Sequence, residues 1–250
     1  TGKTGAAAMA ANSAVRAGAG LVTLVVPASL NAVLEMKTTE AMTVAIPDLD
    51  SGLFGEEAFI AILSTIMGKD AVALGPGISL NPGIAMLVRD LLENVSQPLV
   101  IDADGLNAVA EDPDVLLRKK SATVILTPHP GEMGRLAALS TAEVESDRIG
   151  VARAFAVKYR IYLILKGART IIAAPDGAVA INGSGNPGMA SGGMGDVLTG
   201  VLAALLAQSD GGPAQPILVH GDDLVVAEQT QLKVAEIVQA AAQDQRRRVD

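Results

Sequence analysis

The sequence has no cysteine and no tryptophan, and its aromatic residues, two Tyr and three Phe, make up only 2% of 250 positions. Without cysteine there is no disulfide framework and no thiolate metal site. With so few aromatics the core has to be built from Ala, Val, Leu and Ile, which suits a buried parallel sheet under close-packed helices. No apolar run approaches the ~20 residues needed to cross a bilayer, and no basic segment leads into an apolar one at the start. The expectation is a cytoplasmic protein with no membrane partner. Basic residues are also in short supply. A net charge of −8 at pH 7 speaks against a nucleic-acid surface. An anionic ligand would have to be held by backbone dipoles and a few chosen cations.

What is abundant is apolar surface and glycine: half of the residues are hydrophobic and 26 are Gly. Short β-branched runs alternate with helical patterns. Helices are expected at 4–18, 29–36, 55–68, 81–95 and 112–119, with a long one over 141–159. Strands are expected within 21–27, 41–47, 70–77, 98–105, 122–132 and 161–167. A hairpin with a Pro-Asp-Gly turn is expected over 170–182. Further helical segments follow residue 208, the last amphipathic through Val234, Ile237, Val238 and Ala241. This order predicts an α/β fold with a mainly parallel central sheet and helices on both faces, in three layers. The nearest thing to a linker is 209–216, so one domain over 1–250 is expected.

In open α/β sheets ligands collect beyond the carboxyl ends of the strands. Glycine and polar residues fall there repeatedly: GPG (75–77), DADGLN (102–107), TPHPGE (127–132) and KGA (166–168). The densest case is GSGNPGMASGGMGDVLTG, with seven glycines in residues 183–200 ahead of an apolar helix. Close approach of backbone to a bound group explains that density. Unpaired N–H groups and the dipole at the helix start suit phosphate.

Single residues carry two readings each. Asp196 is either an acid favoured by the helix dipole or a base beside a phosphate cradle of Gly192, Gly193, Met194 and Gly195; the glycines ahead of it favour the second. TGKT at the start suggests a Walker A loop, but a glycine turn opening the first helix fits better. His129, stiffened between Pro128 and Pro130, is a ligand contact or a satisfied polar side chain, whereas His220 is structural. Asp102, Asp104 and Asn107 could hold Mg²⁺ or sugar hydroxyls, or cap the helix that begins there. Lys166 ends an apolar strand, an ordinary place for a solvent-facing lysine. The arginines at 246–248 suit a helix end.

Taken in order, GKTGAA, AGAGLVT, GPG, VIDADGLN, ILTPHPGEM, LKGART and NGSGNPGMASGGMGDVLTG closely resemble the ADP/ATP-dependent NAD(P)H-hydrate dehydratase family, over residues 2 to about 208. The resemblance implies a ribokinase-like fold and a metabolite-repair lyase. The substrate would be NADH or NADPH carrying an added hydroxyl on the reduced ring. ADP or ATP, with Mg²⁺, would phosphorylate that hydroxyl, and phosphate would leave. By the same resemblance Gly5, Ala6, Gly77, His129 and Asp196 bind the hydrate, and Asp196 is the catalytic base. Lys166, Gly167, Ala168, Arg169, Thr170 and Gly195 hold the adenylate. Asp104, Asn107, Glu132, Asn186 and Gly193 lie in the same motifs; Asp104 and Asn107 group with the hydrate, Asn186 and Gly193 with the nucleotide. No metal ligands are assigned.

The resemblance also implies a homo-oligomer, a tetramer, and an epimerase domain or protein as partner. Family members carry a further strand and glycine turn ahead of the segment matched here, so the domain is expected to lack its first strand. Two alternatives stand beside this, the first sharing the GGMGD apparatus and the second suggested by the missing first strand. One is a small-molecule kinase of thiamine-precursor type, against which the HPGE and KGART segments count. The other is a non-catalytic nucleotide-binding remnant.

Overall fold

Strands β4 (Leu99–Ile101), β5 (Val124–Leu126) and β6 (Tyr162–Leu165) are continuous apolar runs, and their alternation sorts the core into two layers. Leu99, Ile101, Val124, Leu126, Leu163 and Leu165 point into one cluster, while Val100, Ile125 and Ile164 point into the other. The period of two along a strand produces this division. Both faces must be covered, and they are. The computed structural model describes residues 2–48, 52–55 and 58–209.

The larger cluster is closed by α3 (Ala58–Ile66), α4 (Pro82–Asn94), α5 (Asp104–Ala110), α6 (Pro130–Ala137) and α8 (Arg148–Tyr159). The smaller is closed by Leu202 and Leu206 of α9 (Met194–Ser209). Against α9 lies α1 (Thr4–Arg16), joined through Ala14, Ala17 and Ala204, with Ser13 Oγ donating to Val197 O at 3.1 Å. A Cβ on Gly200 would overlap the Ala10 carbonyl oxygen. Small residues therefore let these two helices nearly touch.

The main sheet has the order β3-β4-β5-β6-β7-β8, with β3 at Val72–Leu74, β7 at Ile171–Ala173 and β8 at Val179–Ile181. Its first four strands are parallel; β7 and β8 form the expected hairpin and run antiparallel. This is the α/β, mainly parallel architecture expected.

Four details differ from expectation. Strands β1 (Thr23–Pro27) and β2 (Met42–Ile46) pair in parallel as a separate two-stranded sheet. Between β1 and β3 lies a cleft of about 550 Å³, walled by α1 and α9 on one side and α3 and α4 on the other. The helix expected over 141–159 is two helices, α7 (Thr141–Ser146) and α8, because Asp147 leaves helical geometry and caps α8 by accepting Gly150 N–H at 2.8 Å. Residues 113–117 form a 3₁₀ turn rather than an α-helix, and the α-helix of this region is α5 just before it. The HPGE segment opens α6 instead of extending β5. Helix α2 (Asn31–Lys37) falls where expected. His220, the amphipathic set 234–241 and the arginines at 246–248 lie outside the described residues, as does nearly all of 209–216.

Candidate active site

The carboxyl ends of β3 to β6 converge on a cluster of opposite charges, and glycine lets their backbones approach it. A Cβ on Gly75, which sits at φ +126°, would overlap the Asp102 carbonyl oxygen; one on Gly105 would come 3.1 Å from Gly75 Cα. At Gly77 (φ +75°) it would lie 2.8 Å from the Lys3 carbonyl oxygen. The start of α1 is thereby pressed against the turn after β3. Lys3 Nζ donates to Asp104 Oδ2 at 2.8 Å, and the same oxygen accepts Ser79 N–H at 2.9 Å.

At the end of β4, the Asp102 side chain is only 2% exposed and both its oxygens are used. Oδ1 accepts Lys166 Nζ at 2.7 Å and Oδ2 accepts the Thr199 hydroxyl of α9 at 3.0 Å. Lys166 is therefore a paired, largely buried cation, not the solvent-facing lysine its strand-end position suggests. Its Nζ also lies 3.9 Å from Glu132 Oε2. A Cβ at Gly195 would sit 3.3 Å from both Asp102 Oδ2 and Lys166 Nζ, so the first turn of α9 rests on this ion pair.

Asp196 follows in that first turn, half-buried. Burial pushes its carboxyl above the ordinary value of 3.8; the nearby charge of Asp102 adds to the rise and Lys166 opposes it. Ahead of it Gly193 takes φ +91°. Asn186 caps the short 3₁₀ turn Pro187–Met189, accepting Gly188 N–H at 2.9 Å.

His129 and Glu132 form a reciprocal cap of α6. His129 Nδ1 accepts Gly131 N–H at 3.0 Å and Glu132 N–H at 3.3 Å, while Glu132 Oε2 accepts His129 N–H at 2.8 Å. The His129 side chain stays 53% exposed. Asn107 Oδ1 accepts Arg135 Nε at 2.8 Å, joining α5 to α6. Gly5 and Ala6 lie in the first turn of α1, and a Cβ on Gly5 would meet nothing within 4 Å.

The sequence model of NAD(P)H-hydrate dehydratase matches residues 1–245. This chain belongs to the NAD(P)H-hydrate dehydratase family. Relatives include bifunctional NAD(P)H-hydrate repair enzymes of Moorella thermoacetica, 47% identical over 83% of this chain and 39% of that protein, and of Escherichia coli, 38% identical over 83% and 37%. The dehydratase-family chain thus spans about two fifths of the curated relatives it matches. Among solved structures, a hypothetical protein of Streptococcus mutans has TM-score 0.70 at 26% identity, covering 96% of this chain and 75% of that one. The ADP/ATP-dependent NAD(P)H-hydrate dehydratase of Bacillus subtilis, co-crystallized with ATP/Mg²⁺, has TM-score 0.66 at 24% identity and shares the fold over 96% and 86%.

Against the family's motifs, the structure brings Lys3, Gly77, Asp102, Asp104, Glu132, Lys166, Gly195 and Asp196 to one end of the sheet. Asn107 is engaged between two helices and Asn186 in its own turn. Three residues carry more than their sequence setting signals. Lys3 and Thr199 hold the two aspartates from distant elements, and Arg148 donates to three carbonyls around the KGART segment. Nothing local in the sequence marks Thr199 or Arg148, since their partners are far away along the chain.

Proposed function

We propose that the chain dehydrates the hydrates of NADH and NADPH at the expense of ADP or ATP. The carrying observation is the placement of half-buried Asp196 at the start of α9, directly above the Asp102–Lys166 pair and behind the glycine loop. Free N–H groups at a helix start and a buried ammonium suit a phosphoryl group in transfer. A carboxylate with a raised pKa suits the proton of an attacking hydroxyl.

The ring hydroxyl of the hydrate bonds to the terminal phosphorus of the nucleotide as the phosphoanhydride breaks, and its proton passes to Asp196. The carbon–oxygen bond then breaks, phosphate leaving with the bonding pair while the ring-nitrogen lone pair forms an iminium. Loss of a proton from the adjacent carbon restores the reduced ring. Hydroxide is a poor leaving group and phosphate a good one, which is why a nucleotide is consumed.

In this reading Gly5, Ala6, Gly77, Asp104, Asn107 and His129 face the hydrate. Residues 166–170, Asn186, Gly193 and Gly195 hold the nucleotide. The described residues contain no group of three or more metal-ligating side chains. Mg²⁺ would therefore arrive on the phosphates of the nucleotide, where it would supply charge neutralisation for phosphoryl transfer. No helix among the described residues is long and apolar enough to cross a membrane. The substrate in this reading is a diffusible cofactor hydrate, and the reading places the reaction in the cytoplasm. Assembly into a homo-oligomer belongs to the same reading. The bifunctional names of the relatives support a partnership with an epimerase.

For the domain we propose that the cleft between β1 and β3 takes one more parallel strand. Both flanking strands are parallel-type, the walls are apolar helices, and Lys3 and Thr4 line the cleft, so a strand there would lead directly into α1.

The function is tested by following phosphate. One inorganic phosphate per restored reduced ring supports dehydration; a stable phosphorylated product without free phosphate would make the protein a kinase.

A further inference from the structure

Arg148 opens α8, yet its side chain turns toward the KGART segment and is only 16% exposed. Its guanidinium donates to three carbonyls at and just after the end of β6: Ala168 O at 2.8 Å from one terminal nitrogen, and Lys166 O at 3.2 Å and Leu165 O at 3.3 Å from the other. Gly167 makes this possible. It sits at φ +142°, and a Cβ there would come 2.8 Å from the guanidinium.

A trans peptide fixes the N–H opposite its C=O, and the chain has no cis bond among the described residues. Drawing three carbonyls toward Arg148 therefore turns the next three N–H groups away from it. The first, Lys166 N–H, donates to Pro128 O at 2.8 Å, which shows the geometry at work. The other two, on Gly167 and Arg169, have no hydrogen-bond partner among the described residues. Two such N–H groups with one residue between them, both turned away from Arg148, form a donor pair of the kind that binds anions.

We infer that Arg148 is a positioning residue for the nucleotide: it holds the carbonyls of residues 165, 166 and 168 so that the Gly167 and Arg169 N–H groups face a phosphate of ADP or ATP. This rests on the reading that residues 166–170 hold the nucleotide. A lysine cannot replace it, because one ammonium lacks the planar fork that spans three acceptors.

The test measures ADP affinity by calorimetry, steady-state constants, and backbone amide resonances in the wild-type protein, Arg148→Lys and Arg148→Met. Loss of charge-assisted hydrogen bonds that order the donors is expected to weaken ADP binding roughly 10- to 100-fold, in both variants. The KM for nucleotide rises accordingly while the KM for hydrate is unchanged, a split that general loosening of the fold would not produce. In wild type, ADP moves the Gly167 and Arg169 amide resonances, a measurement that needs no variant to fold. Wild-type ADP affinity in a folded Arg148→Met overturns the inference alone. ADP binding that leaves the amides of residues 166–170 unmoved overturns the placement of the nucleotide and the inference with it.

Discussion

Asp196 sits where burial and the charges of Asp102, Lys166 and Asp104 act together on a carboxyl, and burial is the largest of these influences. Its folded-state pKa lies above 3.8, so the folded protein binds this proton more tightly than the unfolded chain does. That contribution to stability is present at low pH and fades as pH rises through the raised value. Asp196→Asn is accordingly expected to keep or raise the thermal midpoint at pH 7. Turnover in the same variant falls ~10²- to 10⁴-fold, the range for a lost general base. The acid limb of the wild-type kcat/KM profile should lie above the ordinary carboxylate range, because the base acts only when deprotonated. Calorimetry and a pH series check both. Substitution at Lys166 acts on stability in the opposite direction. Lys166→Met strips Asp102, 2% exposed, of its cation, and leaving one partner of a buried pair uncompensated costs on the order of 3 kcal/mol, readable from urea denaturation. The placement of Asp196 in a first helical turn behind a glycine loop was legible in the sequence because its glycines are adjacent to it. The role of Lys166 was not, since its partner lies 64 positions away.

Helices and strands were mostly legible because each carries its own periodic signal. The parallel strands read as apolar runs, the PDG hairpin as turn chemistry, and α9 as small apolar residues behind a glycine loop. The break between α7 and α8 was missed for a physical reason. The apolar pattern runs through it, and only the Asp147 side chain, competing for the Gly150 N–H, divides the helix. Asp147→Ala removes that cap and should cost about 1 kcal/mol. It should also let the first turn of α8 fray and carry Arg148 away from its carbonyls, so ADP affinity falls with stability. Denaturation and nucleotide titration on one sample test whether the two losses appear together. The HPGE segment misled in a similar way. Its apolar approach reads as strand, while the His129–Glu132 cap starts a helix immediately after Thr127 and Pro128.

At the scale of the molecule the fold class follows from the order of elements, and the division of the sheet follows from long-range pairing that no local pattern shows. Strand β3 is as apolar as β4 yet only half-buried, because its edge toward the cleft has no strand partner among the described residues. An unpaired parallel edge of this kind invites association with other chains. Extending the polypeptide upstream of Thr1 with an apolar strand should raise the thermal midpoint and suppress aggregation; equal values with and without it would show that the fold closes on its own. The central claim is nucleotide-dependent repair, and the most direct measurement is the absorbance of the reduced nicotinamide ring. Hydrated NADH is mixed with the protein, with and without ADP or ATP and Mg²⁺. Return of the absorbance with nucleotide, none without it, and return slowed ~10²- to 10⁴-fold with Asp196→Asn is the predicted result. Restoration that is indifferent to nucleotide or to Asp196, or no restoration under any of these conditions, would contradict the account.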